Sequence, residues 1–241
     1  MNVSEFIKKK INRLPKSYIF TSSDFSQEVE NKSAVVKALN RMVQNGELRK
    51  ISQGLFFKPE MSMFGELQPP QEQIVKDLLI SNGKLVGYLT GYSIYSKLGL
   101  TTQVSNTIQI GKNDVRGLFK RGQYTISFIK QKNTITSKNI PLLQILDSIR
   151  YIKNIPDTTI QKACKRFMVI LSALKEDEMK RLVRLSLKYP PSTRALLGCL
   201  LEEMGICCFS EELKKSLNSI TEYKLFGSEV KLINADNWNI V

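Results

Sequence analysis

The stretch from Thr21 to Pro59 constrains this chain most, because signals for a helix, a turn, a second helix and a hairpin follow one another there. Thr21 and Asp24 match a capping box, in which a hydroxyl accepts a backbone N–H and an acid three residues later reaches back. Phe25 and Val29 then provide one buried face for a short helix. A longer helix is predicted from Ser33 to Asn45, with Ser33 as its cap and Gly46 after its end.

The predicted helix from Ser33 to Asn45 has two opposed faces. At about 100° per residue, its apolar side chains collect on one side and its polar side chains on the other. The apolar set is Val35, Leu39, Met42 and Val43, and the polar set is Ser33, Lys37, Asn40, Arg41 and Gln44. Cationic side chains suit phosphate or guanine, and amide side chains suit adenine. The alternative is an ordinary amphipathic helix with a solvated outer face.

A short hairpin is predicted next, with strands at residues 48–51 and 55–58 and with Gly54 at a turn position that needs positive φ. Arg49, Lys50 and Lys58 lie on it and could hold phosphates, which fixes register without reading sequence. A first helix is predicted from Val3 to Leu14, where Pro15 ends it. This order is typical of a winged helix-turn-helix, which lays its second motif helix in the DNA major groove. We therefore predict a DNA-binding domain at residues 1–62.

The rest of the chain indicates an α+β fold. A link is predicted at residues 60–70, followed by a second domain at 68–241 with an α+β part (68–138) and a mainly helical part (139–241). Strands are predicted at 107–110 and 124–129 from period-two alternation, and helices from Pro141 onward. Thr90 is predicted to cap a helix at 91–98. A closing hairpin is predicted from Tyr223–Phe226 and Val230–Ile233.

The chain is strongly basic, with 36 Lys and Arg against 22 Asp and Glu and a net charge of +14. Such a field attracts polyanions. The charge is spread along the chain: +4 in residues 1–66, +7 in 67–150 and +3 in 151–241. The most basic stretch indicates a second nucleic-acid contact, a patch for an acidic protein partner or a solvated loop, and these stay open. Its residues are Lys112, Arg116, Lys120, Arg121, Lys130 and Lys132.

Several function classes are excluded or disfavoured. The chain has no His, so Ser-His-Asp and Cys-His catalysis are excluded, and no phosphate-binding glycine motif is present. We expect no enzyme, no cofactor and no metal site. The four cysteines, Cys164, Cys199, Cys207 and Cys208, are expected to be buried thiols. No apolar run approaches the roughly 18 residues of a membrane span and no secretory signal is visible, so we expect no membrane association and a cytoplasmic protein.

Three blocks together give a family resemblance: RLPKSYIFTSSDF, KALNRMVQNGELRKISQGLFFKP and GYLTGYSIYSKLGLTTQ. In this order, and with YPPSTRALLGCLLEEMG near the end, the chain resembles the AbiE-type antitoxins of bacterial abortive-infection systems. The resemblance is strongest from Arg13 to Thr102. It implies a winged helix that represses its own operon and a C-terminal domain that counters a nucleotidyltransferase-like toxin without a stable complex.

Three functions follow from these observations. The first is a DNA-binding transcriptional repressor and type IV antitoxin that occupies promoter DNA, with self-association on paired half-sites as one option. The second is a protein-binding module that uses the winged helix as a docking platform, and the third is a solitary regulator without a toxin. An enzyme acting on nucleic acid is disfavoured because no acid cluster or histidine supports it.

Overall fold

The computed structural model describes residues 3–25, 29, 31–224 and 232–241. In it the chain has the predicted mixed α+β fold. The chain divides into two units. The first contains Met1–Leu78 and Phe119–Thr125, and the second contains Leu79–Leu118 and Ile126–Val241. The first unit therefore extends to Leu78 and takes in a segment from the middle of the chain.

The first unit opens with α1 (Val3–Arg13), β1 (Ile19–Phe20) and a 3-10 turn at Ser22–Phe25. The capping pattern forms as predicted, since the Asp24 carboxylate accepts the Thr21 N–H at 2.6 Å and the Thr21 hydroxyl accepts the Ser23 N–H at 3.2 Å. The next elements are α2 (Lys32–Gln44), β2 (Arg49–Ser52) and β3 (Leu55–Phe57). These three strands form an antiparallel sheet in the order β1-β3-β2, with Phe56 opposite both Phe20 and Lys50.

One apolar cluster packs these elements together. The Phe20 ring contacts Phe25 edge to face at 5.9 Å and stacks on Phe56 at 6.3 Å between centroids. Burying a large apolar side chain stabilises a fold by about 1.5–3 kcal/mol, so the shared cluster fixes α2 against the sheet. Its buried members are Ile7, Ile11, Phe20, Phe25, Val35, Ala38, Leu39, Leu48 and Phe56.

A second hairpin replaces the predicted link at residues 60–70. Its strands are β4 (Glu60–Ser62) and β5 (Gly65–Leu67), with Glu60 opposite Leu67. The Ser62 hydroxyl accepts the Phe64 N–H at 3.1 Å and donates to the Gly65 carbonyl at 2.9 Å, which closes the turn. Met63 and Phe64 stand at the tip, 95% and 97% exposed. Turns are predicted from Gly, Pro and short polar residues, so the two large apolar residues at this tip favoured no turn in the sequence analysis.

Two short helices, α3 (Gln71–Ile74) and α4 (Lys76–Leu79), lead from the first unit into the second. A short hairpin pairs β6 (Ile80–Ser81) with β7 (Lys84–Leu85). The strands β8 (Gly87–Thr90), β9 (Thr107–Lys112), β10 (Phe119–Arg121) and β11 (Tyr124–Lys130) form a sheet in the order β10-β11-β9-β8. The hairpin tip, Phe119–Thr125, is assigned to the first unit. The strands predicted at 107–110 and 124–129 are confirmed.

In the described part of the second unit, five longer helices complete the fold, and the predicted helical half is confirmed. They are α5 (Ile140–Arg150), α6 (Ile160–Ser172), α7 (Glu176–Ser186), α8 (Pro191–Glu203) and α9 (Cys207–Lys215). Most of α8 is buried, so it lies inside the helical layer. Gly198 permits this packing, because a Cβ there would lie 2.1 Å from the Trp238 ring. The Trp238 indole N–H donates to Glu202 at 2.5 Å.

One local prediction differs from the structure, and another falls largely outside the described residues. Thr90 caps no helix: a short 3-10 turn at Gly91–Ser93 follows it, and its hydroxyl donates to Asp147 instead. The predicted closing hairpin falls largely on residues 225–231, which lie outside the described residues, while Tyr223 forms an isolated parallel bridge with Ile240.

The cysteines divide into two kinds, so the expectation of four buried thiols is half wrong. Cys164 and Cys199 are buried, and burial raises the pKa of each thiol to about 12. Cys207 and Cys208 are exposed, because they occupy the first turn of α9, where the chain has just left the core.

Candidate functional site

The start of α2 is set by Asn31 and not by Ser33. The Asn31 side-chain oxygen accepts the Ala34 N–H at 3.0 Å, which makes Asn31 the N-cap and Lys32 the first helical residue. Ser33 lies exposed in the first turn. The helix ends at Gln44, and Gly46 adopts a φ of +75°, as predicted for the residue after the end. The prediction of the helix was right, and its capping residue was wrong by two positions.

The outer face of α2 carries the predicted polar set. Ser33, Lys37, Arg41 and Gln44 are exposed and Asn40 is half-buried, while Val35 and Leu39 on the opposite side are fully buried. Within the described residues, neither Lys37 nor Arg41 belongs to an ion pair. Their charges are therefore presented to solvent along one side of the helix.

The structure adds Val36 to this face. Its side chain is 39% exposed, and it lies three residues after Ser33 and four before Asn40, so it neighbours both of them on the helix. The sequence pattern left it out because apolar residues were assigned to the core. The exposure of Val36 was predictable from the adjacent pair Val35-Val36. Neighbouring residues point about 100° apart on a helix, so only one of the two can face the core fully.

The three cations predicted on the hairpin differ in availability. Lys50 is exposed, with its ammonium 5.8 Å from the centre of the Phe56 ring. Arg49 is exposed but engaged: its Nε donates to Glu66 at 2.9 Å and its Nη1 to the Gly46 carbonyl at 3.2 Å. Lys58 is half-buried and donates to Asn12 at 3.3 Å. In the described part of the first unit, Lys50 is therefore the most accessible of the three.

An acid beside α2 is balanced by a neighbour. Glu47 follows the helix and pairs with Lys8 of α1 at 2.8 Å, and this hydrogen bond holds the pKa of Glu47 below its usual value. Lys10 donates to the Asp24 carbonyl at 2.9 Å. The charge of Glu47 is therefore balanced by Lys8 and leaves the cations on the outer face of α2 unpaired by this acid.

The members of the second predicted basic set differ in exposure. Arg121 is buried and does not fit a nucleic-acid contact: its guanidinium donates to both Asp77 oxygens at 2.6 and 2.9 Å and to the Ile74 carbonyl at 2.6 Å. Lys120, in the same segment, is exposed, and Lys112 is half-buried. The Arg116 guanidinium lies 5.5 Å from the centre of the Phe128 ring. Lys130 and Lys132 are exposed beside a cleft of the second unit.

A buried polar network lies within the second unit. The Asp147 carboxylate of α5 accepts hydroxyl protons from Tyr88 and Thr90 at 2.7 Å and from Tyr189 at 2.8 Å. Gln131 donates from its amide nitrogen to both tyrosine oxygens at 2.8 Å, so each tyrosine proton is directed at Asp147. The sequence signal for this network was Asp147, the one acid in α5, which lies between apolar residues of that helix.

The protonation of this network follows from its burial. Burial raises the pKa of Asp147, although the three hydroxyl donors and Arg150 oppose the shift. Burial and the adjacent carboxylate raise the pKa values of Tyr88 and Tyr189 far above the usual phenol range. The tyrosines therefore remain protonated donors. The hydroxyl groups of Tyr88, Thr90 and Tyr189 donate to Asp147, and these hydrogen bonds hold β8, α5 and the α7–α8 loop together.

The described residues contain no candidate for a metal centre or for a membrane-spanning helix. No set of three or more Cys, Asp or Glu side chains there is arranged to hold a metal ion. None of the helices in that part of the chain combines the length and hydropathy that crossing a bilayer requires.

Comparison with known proteins places the chain in a family. No curated protein matches it. Among solved structures, it is similar to the crystal structure of the RV2827C protein from Mycobacterium tuberculosis, with a TM-score of 0.66 and 12% identity, over 98% of this chain and 89% of that one. At this identity the likeness concerns the fold alone. A family model described as a family of unknown function, DUF6088, matches residues 6–182, and the chain therefore belongs to the DUF6088 family.

Proposed function

We propose that the first unit is a winged helix-turn-helix that binds double-stranded DNA, and that the protein represses its own operon as the antitoxin of a type IV, AbiE-like system. The observation that carries this proposal is the division of α2, whose Val35 and Leu39 are buried while Lys37 and Arg41 are exposed outside the described ion pairs. The β2–β3 hairpin then acts as the wing. In this reading the protein works in the cytoplasm without a cofactor.

The predicted polar and cationic groups divide the proposed contacts among them. Lys37, Asn40 and Arg41 reach base edges in the major groove, where amide and guanidinium groups discriminate adenine and guanine. Ser33 and Gln44, at the two ends of the same face, contact either bases or phosphates. Lys50 holds a phosphate from the wing and sets register. Arg49 stays with Glu66 and orients the wing, and Lys58 stays with Asn12.

A double substitution, Lys37→Ala with Arg41→Ala, tests the assignment. Each residue is expected to contribute about 1–3 kcal/mol to binding if it contacts a base. Gel shifts would compare a DNA fragment from upstream of the gene with a scrambled fragment of equal length. The matched control is Lys162→Ala with Lys165→Ala, which removes the same charge from the exposed face of α6. Equal affinity of wild type and the Lys37/Arg41 variant for the upstream fragment would refute the proposal.

Val36 is expected to contact a thymine methyl group, since apolar side chains read that group in the major groove. Val36→Ala should weaken binding to a selected thymine-containing site while leaving stability nearly unchanged, because the residue is partly exposed. Uracil lacks this methyl group, so on DNA in which uracil replaces thymine the variant and the wild type should bind with equal affinity. If the loss persists on uracil DNA, Val36 acts in some other way.

The antitoxin part of the proposal rests on the resemblance to AbiE-type proteins. We expect a neighbouring gene for a nucleotidyltransferase-like toxin, and we expect no stable complex with it. Co-expression with that neighbour should restore growth, and a Lys37→Ala, Arg41→Ala protein supplied from a foreign promoter should do so equally well. Failure of the wild-type protein to restore growth would leave a solitary regulator. Repression by self-association on paired half-sites would appear as a two-step gel shift.

A protein-docking module is the second candidate, favoured by the tip of the β4–β5 hairpin. Met63 and Phe64 there are almost fully exposed, and exposed apolar groups are characteristic of interaction surfaces. Weak binding to duplex DNA at moderate salt, together with capture of a partner that Phe64→Ser abolishes, would favour this function over DNA binding.

A further inference from the structure

The second unit contains a basic cleft of about 650 Å³. One wall is the end of β11 with the residues after it, another is the C-terminal end of α5, and a third is the α7–α8 loop with the first turn of α8. Five cationic side chains line it: Lys130, Lys132, Arg150, Lys188 and Arg194. They come from three separate parts of the sequence, so only the fold brings them together.

No carboxylate lies among the residues that line this cleft, all of which belong to the continuous described stretch 31–224. Among the described residues, none of the five cations belongs to a salt bridge. Like charges around one concavity repel one another, and this repulsion is stronger near protein than in bulk water. An anion placed between them converts repulsion into attraction. The balance of charge therefore favours a ligand with several closely spaced negative charges.

The cleft is held in shape by hydrogen bonds beneath it. Gln131 donates to the Tyr189 hydroxyl at 2.8 Å, and Asn133 donates to the Leu185 carbonyl at 3.0 Å, so the β11 side is fastened to the α7–α8 side. Arg194 donates from Nη1 to the Ser216 carbonyl at 2.6 Å, which anchors its guanidinium. A preformed frame and an anchored guanidinium reduce the ordering that binding an anion requires, which improves affinity.

We propose that this cleft binds a small polyphosphate-bearing ligand of the size of a nucleoside triphosphate. The volume lies within the roughly 300–1,000 Å³ of small-molecule sites. Leu187, Pro190 and Pro191 provide an apolar wall beside the cations, suited to the organic part of such a ligand. The first turn of α8, a helix of 13 residues, adds the positive end of its dipole. A concavity of this size does not admit a duplex, whose phosphates lie on a convex surface.

Calorimetry on the full-length protein tests the proposal with inorganic tripolyphosphate and with ATP. Wild type should bind one equivalent of each saturably, and ATP at least as tightly as tripolyphosphate. Lys130→Gln with Lys188→Gln should weaken both by about tenfold or more, because two charge-assisted contacts are lost. Lys162→Gln with Lys165→Gln removes the same charge elsewhere and should leave both affinities unchanged. All four lysines are exposed, so the variants keep the fold.

Three results would overturn the proposal. The first is absence of saturable binding, and the second is equal weakening in the Lys162/Lys165 control, which would assign binding to overall charge. The third is displacement of tripolyphosphate by a random DNA duplex that itself depends on Lys130 and Lys188. The proposed DNA function is separable, since Lys37→Ala with Arg41→Ala should still bind tripolyphosphate and the Lys130/Lys188 variant should still bind DNA.

Discussion

At the scale of single residues, Asp147 experiences two opposing influences. Three hydroxyl protons stabilise its charged form, while burial in an apolar core penalises it. Because burial is the larger effect, the pKa of Asp147 lies above its ordinary value of 3.8. A group with a raised folded-state pKa contributes stability below its unfolded pKa, and that contribution is lost as the pH rises through the folded pKa.

Asp147→Asn tests this balance. The amide of Asn cannot ionise, so the variant lacks the pH-dependent contribution of Asp147 to the free energy of unfolding. The free energy of unfolding of wild type, relative to the variant, should therefore fall as the pH rises above about 4. Urea unfolding from about pH 4 to about pH 8 would measure it. Asp114→Asn, in an exposed loop, is the control and should show no such trend. A wild type that gains relative stability with pH would mean that the hydroxyl donors outweigh burial.

At the scale of elements, α2 serves two purposes with one sequence. Its inner face belongs to the apolar cluster that includes Phe20 and Phe56, and its outer face carries the proposed base contacts. The cap lies outside both faces, at Asn31. The N-cap and the outer face of α2 can therefore be altered separately, so that effects on folding and on DNA binding are measured independently.

Asn31→Ala should lower the stability of the first unit by about 0.5–2 kcal/mol, because the Ala34 N–H loses its acceptor. Ser33→Ala, two residues later, should change stability by less than about 0.5 kcal/mol. Chemical unfolding followed by far-UV circular dichroism would measure both. If Ser33→Ala proves the more harmful, Ser33 is the effective cap after all.

At the scale of the molecule, a segment from the middle of the chain completes the first unit. Residues 119–125 bring Arg121 to Asp77 and to the Ile74 carbonyl, across 44 and 47 positions of sequence. Gly122 belongs to this contact too, since a Cβ there would lie 2.7 Å from the Ile51 carbonyl oxygen. The first unit is therefore a discontinuous one, and a fragment ending at Leu78 would lack part of it.

Arg121→Gln should destabilise the first unit by about 1–3 kcal/mol, because a buried charged donor to three acceptors is lost. The neighbouring Lys120→Gln removes the same charge from an exposed position and should have little effect on stability. Thermal unfolding of the full-length protein would compare them. Equal stability of the two variants would show that the buried hydrogen bonds of Arg121 do not stabilise the fold. If Arg121→Gln were equally stable but lost more DNA affinity than Lys120→Gln, Arg121 would be a DNA contact, which is one of the roles that the sequence left open.

The sequence by itself determined the features that depend on near neighbours. Helical spacing predicted α2 with its two faces, period-two alternation predicted β9 and β11, and Gly46 and Gly54 have the positive φ that their turns require. These features are visible in a short window, because periodicity and turn chemistry are local. The DNA-binding role built on them stays a prediction.

Only the tertiary structure decided which charges remain on the surface. Arg121 and Lys120 are adjacent cations in the sequence, yet one is buried against Asp77 and the other is exposed. The hydrogen bonds to Asp147 likewise join residues 42 to 59 positions apart, and the basic cleft joins Lys130 to Arg194. Burial and pairing are properties of the whole packed chain: a charged side chain enters the interior only where distant partners satisfy it, and no short window contains those partners.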